Sequence, residues 1–118
     1  GSDVKVNNVT MNNVGDKGLS VGEGSNINAS QITISNARIA YASKDSSKLI
    51  LSDSSIHNVD IGFVVFQKKP EFSHAVIDSW RHVSSNVNKE YLVELGSTLI
   101  LDGVKVDNKS LSLRKELY

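Results

Sequence analysis

The sequence predicts an all-β fold, a single-stranded right-handed parallel β-helix of about five rungs. Three observations carry this. Apolar residues come in short runs separated by Ser/Asn-rich clusters, and before the last dozen residues no apolar pattern of helical period lasts beyond about two turns. Five heptapeptides superpose without gaps: SDVKVNN from Ser2, SQITISN from Ser30, SKLILSD from Ser47, SHAVIDS from Ser73 and STLILDG from Ser97. Their starts lie 28, 17, 26 and 24 residues apart, too far for hairpin partners and too irregular for helical repeats.

Each heptapeptide reads as a strand. A serine is followed two and four residues later by an apolar pair: Val4 and Val6, Ile32 and Ile34, Leu49 and Leu51, Ala75 and Ile77, Leu99 and Leu101. Spacing by two places each pair on one face. Two positions further on stand Asn8, Asn36, Asp53, Ser79 and Gly103, types that accept a left-handed or tight-turn backbone cheaply or hydrogen-bond their own turn, so each strand is expected to turn there. Stacking the copies as rungs predicts one inward column of Val6, Ile34, Leu51, Ile77 and Leu101. A second strand family falls between the copies: GLSV at Gly18, AYAS at Ala40, GFVV at Gly62 and, more loosely, YLVEL at Tyr91. Loops of variable length absorb the differences in spacing. The β-helix is assigned to residues 3–110, and Leu111–Tyr118 to a last strand or short terminal helix. Gly1 and Ser2 read as an expression scar, which takes Ser2 of the first copy out of the native evidence and leads to the expectation that the chain is a piece of a longer protein.

The Ile-x-Asn turn followed by a Gly-apolar strand resembles the parallel β-helix repeat of pectate-lyase-like proteins over nearly the whole chain. GDKGLSVGE, ASKDSS and FQKKPEF are similar to segments of β-helix modules in bacterial cell-surface, spore-coat-H-like and envelope-polymer proteins. The resemblance implies a bacterial cell-surface or envelope setting, which nothing else in the residues indicates. Catalytic members of the broader fold are usually much longer, with long loops that form a cleft.

Composition excludes some classes. Lys plus Arg and Asp plus Glu each total 13, so no net field favours nucleic acid, and no stretch is long and apolar enough to insert in a membrane. The absence of cysteine removes disulfides and thiolate zinc sites. No cofactor motif is present: neither GxxxxGK[ST] nor GxGxxG fits the glycines of Gly15–Asn26. GLSVG at Gly18 matches the G-x-S-x-G nucleophile elbow, but Leu19 and Val21 alternate like a strand around Ser20 and the following GEGSNINAS reads as loop, not helix.

The candidate binding residues are charged. Asp16, Lys17, Glu23, Lys44, Asp45, Lys68, Lys69 and Glu71 are expected near one corner of successive coils, where lysines interleaved with carboxylates suit a polyanionic sugar or acid and base chemistry on it. The plain alternative is a solvated ladder of neutralised charge. A lyase also needs a stabiliser for the developing dianion, and Arg38, Arg81 and Arg114 fall outside this corner. His57, His74 and His82 sit in different rungs with no metal-ligand spacing, so no metal site is assigned. Trp80, Tyr41, Phe63 and Phe66 read as core or ladder residues before they read as a sugar-stacking platform. The sequons at Asn8, Asn28 and Asn108 are expected of so Asn/Ser-rich a chain.

Two functional classes remain. In one the domain is a non-catalytic scaffold or interaction module, its partner a neighbouring domain, a second copy or a polysaccharide. In the other it is a small polysaccharide lyase or hydrolase built on Lys44, Lys68, Lys69, Glu23 and Asp45.

Overall fold

The computed structural model describes residues 3–22, 24–44, 46–66, 75–94, 97–106 and 109–110. All regular structure among them is β: β1 (Asp3–Val21), β2 (Asn26–Lys44), β3 (Lys48–Phe66), β4 (Val76–Glu94), β5 (Thr98–Leu101), β6 (Val104–Lys105) and β7 (Lys109–Ser110). The first four each run 19 residues and pair in parallel with the next in chain order, with β5 parallel on β4. Each long strand is one coil of a parallel β-solenoid of about four turns.

A 19-residue strand wraps a solenoid because it bends twice. At the first corner Asn8, Gln31, Asp53 and Arg81 take φ of 58°, 55°, 56° and 55°, and at the second Asn36, Asn58 and Asn86 take 58°, 54° and 54°. The strand ladders skip these positions, as a left-handed residue must turn its peptide out of the pleat. Three sides result. In β3 they are Lys48–Ser52, Ser54–His57 and Val59–Phe66, and the other coils follow the same register.

Of the five proposed turn residues, Asn8 and Asp53 share the first corner, Asn36 lies on the second and Gly103 lies in the hairpin turn after β5. Ser79 is not a turn. It points into the coil at 0% exposure, level with Leu51 and Leu101. The proposed single inward column is likewise divided over three: Val4–Ile27–Leu49–Ile77–Leu99, Val6–Ala29–Leu51–Ser79–Leu101 and Met11–Ile34–Ile56–Ser84. Copies one, three and five of the heptapeptide share a register. Copy two occupies the second side, and copy four is displaced by two residues, because the coil-to-coil offset is 22 residues from β2 to β3 but 28 from β3 to β4. The second strand family stacks as read, Leu19–Tyr41–Phe63–Tyr91, with Glu90 rather than Tyr91 level with Gly62.

The interior columns form one core in which Ile34, Tyr41, Leu49, Leu51, Phe63 and Ile77 are fully buried. Each such side chain contributes about 1.5–3 kcal/mol of transfer free energy. The third side is buried on both faces. Ile39, Ala42, Ile61, Val64, Phe66 and Leu92 make a second cluster, which is why Ile61–Phe66 reads as an unbroken apolar run rather than an alternation. After β5, Asp102 (φ 50°) and Gly103 (φ 81°) turn the chain back, and β6 runs antiparallel to β5 with Ile100 opposite Lys105. Two successive left-handed residues are what a tight two-residue hairpin requires. β7 returns beside Val93 and Glu94. The last eight residues, read as a terminal strand or helix, lie outside the described residues.

Candidate functional site

Ser20, at the centre of the elbow-like GLSVG, is an exposed residue of β1 in a column with Ala42, Val64 and Leu92. The first of its two flanking glycines serves packing: a Cβ on Gly18 would lie 2.6 Å from Ile34 Cδ1 and 2.8 Å from the Ala40 carbonyl oxygen, whereas one on Gly22 would meet only the flexible Lys44 chain, at 3.3 Å from Cε.

The charged residues are only partly brought together. Lys17 Nζ meets Asp16 Oδ2 at 3.0 Å, and Arg38 Nη1 meets Asp16 Oδ1 at 3.3 Å. The Lys17 ammonium first, and the Arg38 guanidinium after it, hold the Asp16 carboxyl below its ordinary range. Lys44 is elsewhere: level with Phe66, its chain alongside Gly22, it sits five strand positions from the Lys17 column, about 16 Å along the third side. Glu23, Asp45, Lys68, Lys69 and Glu71 lie outside the described residues, as do His74 and Arg114. Arg38, set apart from this group in the sequence reading, is in fact the cross-coil partner of Asp16. Arg81 makes a second such pair, donating from Nε and Nη2 to Asp53 at 2.6 and 3.0 Å and depressing the Asp53 carboxyl.

A convergent set of reactive groups lies inside the coil, where sequence spacing gave no sign of it. Ser54 and His82 are stacked in one inward column, and Ser54 Oγ is 3.0 Å from His82 Nδ1 and 2.5 Å from the Tyr41 hydroxyl. Across the imidazole, His82 Nε2 is 3.6 Å from Glu90 Oε1, while Glu90 Oε2 accepts from Ser84 Oγ at 3.1 Å. The order hydroxyl, imidazole, carboxylate resembles a nucleophile triad. Access decides against it. Ser54 is 2% exposed, the His82 side chain is 8% exposed and edge-on to Phe63 at 4.7 Å, and the Tyr41 ring stacks on Phe63 at 5.4 Å. Burial pushes the Tyr41 hydroxyl up to about 12 and lowers the His82 pKa, Glu90 opposing the latter, so near neutrality His82 stays uncharged. The set packs and orders the last full coil.

The outer surface is ranked by the coil. At the second corner Asn86 Nδ2 donates to Asn58 Oδ1, Asn58 to Asn36 at 3.2 Å and Asn36 to Asn12 at 2.7 Å, an amide ladder beside Asn88–Asp60 at 2.9 Å. Outward on the second side, Ser35 bonds Asn12 and His57 Nδ1 meets Ser85 Oγ at 3.0 Å. On the first side a shallow groove of about 330 Å³ runs across three coils, lined by Lys5, Asn7, Asn28, Ser30, Ile50 and Ser52 among others. Trp80 continues the Ser30–Ser52 column and is 41% exposed, whereas Tyr41, Phe63 and Phe66 are buried, which leaves Trp80 as the sugar-stacking candidate of those four. Among the described residues no three His, Asp or Glu side chains are grouped to hold a metal ion.

Comparison with protein families, with curated proteins and with solved structures returned no match.

Proposed function

We propose that the chain is a non-catalytic β-helix scaffold or interaction module of a larger bacterial envelope-related protein, akin to pectate-lyase-like repeats, which docks a neighbour or a glycan on its outer ladders. One observation carries the reading: the convergent nucleophile, base and acid, Ser54, His82 and Glu90, have their serine and imidazole sealed in the coil, while the outer groove offers amides and hydroxyls with Lys5, and the exposed indole of Trp80 continues the Ser30–Ser52 column. A face of amides and hydroxyls at one strand spacing, with a stacking ring at its end, suits a polyhydroxylated chain.

The test is a glycan array and a polysaccharide-cleavage screen on the intact chain, a Trp80→Ala variant and a Lys44→Ala/Lys68→Ala/Lys69→Ala variant. The module reading expects binding without turnover, weakened by Trp80→Ala. Turnover abolished by the triple change would establish the rival enzyme built on Lys44, Lys68, Lys69, Glu23 and Asp45.

A further inference from the structure

The two outward columns that line the groove on the first side run on past it. Lys5–Asn28–Ile50 continues to Asp78 and Asn7–Ser30–Ser52 continues to Trp80, so these two side chains are the fourth-coil members of the same outer surface. They straddle the inward Ser79 and stand about 7 Å apart along β4. Asp78 is half-buried between Ile50 and Ile100, and its Oδ1 is out of contact with solvent and has no hydrogen-bond partner. The ion pairs among the described residues do not include it, although Lys5 and Lys48 are exposed on the same side. Trp80 is 41% exposed, and the benzo end of its indole is set against the turn after β5, where a Cβ on Gly103 would lie 3.3 Å from Cη2. The ring is thus held in place before any ligand arrives. A half-buried carboxylate oxygen without a donor costs stability, and nothing else in the coil uses it.

We infer that Asp78 and Trp80 form the recognition subsite for a neutral oligosaccharide lying along the coil axis, the indole stacking on the apolar face of one sugar ring and the Asp78 carboxylate accepting from that ring's hydroxyls. The inference rests on the interaction-module reading and names its ligand class. Sugar hydroxyls supply the donors that Oδ1 lacks, and the broad χ2 torsion of aspartate lets either oxygen turn towards them. The C–H groups of a pyranose ring suit the indole face. Beyond this subsite Ser52, Ser30 and Asn28 repeat polar contacts at one strand spacing, on a surface about 14 Å long from Asp78 to Lys5, and hold the rings that follow. Charge selects the class. A uronan carries a carboxylate on every ring and sets one against Asp78, with no paired cation to neutralise the contact. The polyanionic sugar expected from the lysines of the sequence is therefore the ligand that this subsite rejects.

Trp80 is the single tryptophan of the chain, so its emission reports on this subsite alone. The intact chain is titrated with hexasaccharides of neutral hexoses, pentoses and N-acetylhexosamines and with an oligogalacturonide of the same length. At least one neutral series is expected to shift the emission and protect it from acrylamide quenching, while the uronide leaves it unchanged. Asp78→Asn keeps the size of the side chain and removes its charge. It weakens the neutral ligand roughly tenfold, the worth of one charge-assisted hydrogen bond, and admits the uronide. A purely structural role for Asp78 would lower stability instead, whereas Oδ1 has no partner to lose, so urea unfolding of Asp78→Asn should match or exceed the parent. By calorimetry Trp80→Phe keeps part of the affinity that Trp80→Ala loses. No binding across the neutral panel, equal or tighter binding of the uronide by the parent, or a neutral ligand indifferent to Asp78→Asn overturns the inference. Uronide binding without turnover leaves the module reading standing and removes this subsite, while cleavage of a bound neutral sugar removes the module reading and keeps the subsite.

Discussion

Serine-to-alanine substitution should change sign with the partner that the hydroxyl has. Ser79 is fully buried between Leu51 and Leu101, and its Oγ has no hydrogen-bond partner. Leaving a hydroxyl unsatisfied in such a site costs about 1–3 kcal/mol, and alanine removes that cost while losing a few tenths in dispersion, for a net gain of about 1 kcal/mol. Ser47 is as buried but sits 2.7 Å from Ser43 Oγ and 3.1 Å from the Val21 carbonyl oxygen. Ser43 Oγ also lies 3.1 Å from the Val76 carbonyl oxygen, so the two hydroxyls bridge each other and two carbonyls, their two protons satisfying two of the three contacts at a time. Ser47→Ala breaks this set and should destabilise by about 1–2 kcal/mol. The two variants then differ by about 2–3 kcal/mol. At a urea m-value of about 1–3 kcal/mol/M that is a separation of roughly 0.7–3 M in midpoint. Equilibrium urea unfolding with unchanged m is the assay, and Ser97→Ala, whose Oγ is also unpartnered, is the replicate for Ser79. Destabilisation of all three variants by similar amounts would refute the reasoning.

Other expectations follow from the same geometry. Burial holds the His82 pKa below its ordinary 6.5, so its neutral form stabilises the fold fully above that pH, and the contribution drains away as the pH falls from there towards the depressed value. A melting-temperature series across that window should slope for the parent and flatten for His82→Gln. A Cβ at Gly62 would lie 2.5 Å from the Glu90 carbonyl oxygen, so Gly62→Ala should cost about 3 kcal/mol or more by denaturant titration. Gly24→Ala, at φ 75° with open space, should cost only about 1–2 kcal/mol. Asn58→Gly keeps the left-handed corner and loses two ladder bonds, and Asn58→Ala should be worse by about 1 kcal/mol, with equal losses telling against the corner argument.

The solenoid was legible because strand alternation and turn residues are local signals. Val4 and Val6, Leu49 and Leu51, and Leu99 and Leu101 declare their inward face without reference to any neighbour, and their copies fall in register. Register elsewhere is a property of the whole coil. The 28-residue step into β4 follows from a longer connection, and a gapless superposition of heptapeptides slides by two to keep Ile77 and Ser79 in phase with the wrong partners. The same blindness hid the interior cluster. His82 and Ser54 are 28 residues apart and meet only because that step stacks them, whereas Lys17 and Lys44, grouped by charge, are separated by the length of a side.

Corner chemistry shows where local preference yields to the stack. Asn8, Asp53 and the three corner asparagines tolerate a left-handed backbone at little cost, but Gln31 and Arg81 hold the same conformation without that tolerance, at about 1–2 kcal/mol each. Arg81 is held by what lies above and below it. Its amide donates to Asp102 Oδ1 at 2.7 Å from the next coil, and its guanidinium grips Asp53 of the previous one through two bonds. An exposed ion pair alone is worth little. The backbone bond to Asp102 and the parallel ladders on both sides of the strand hold the bend, and the bidentate pair to Asp53 adds to them because the residue is arginine. A corner in a solenoid is therefore specified by its neighbours along the axis as much as by its own side chain, which is why the sequence motif at the turn decays in β2 and β4 while the bend in the chain does not.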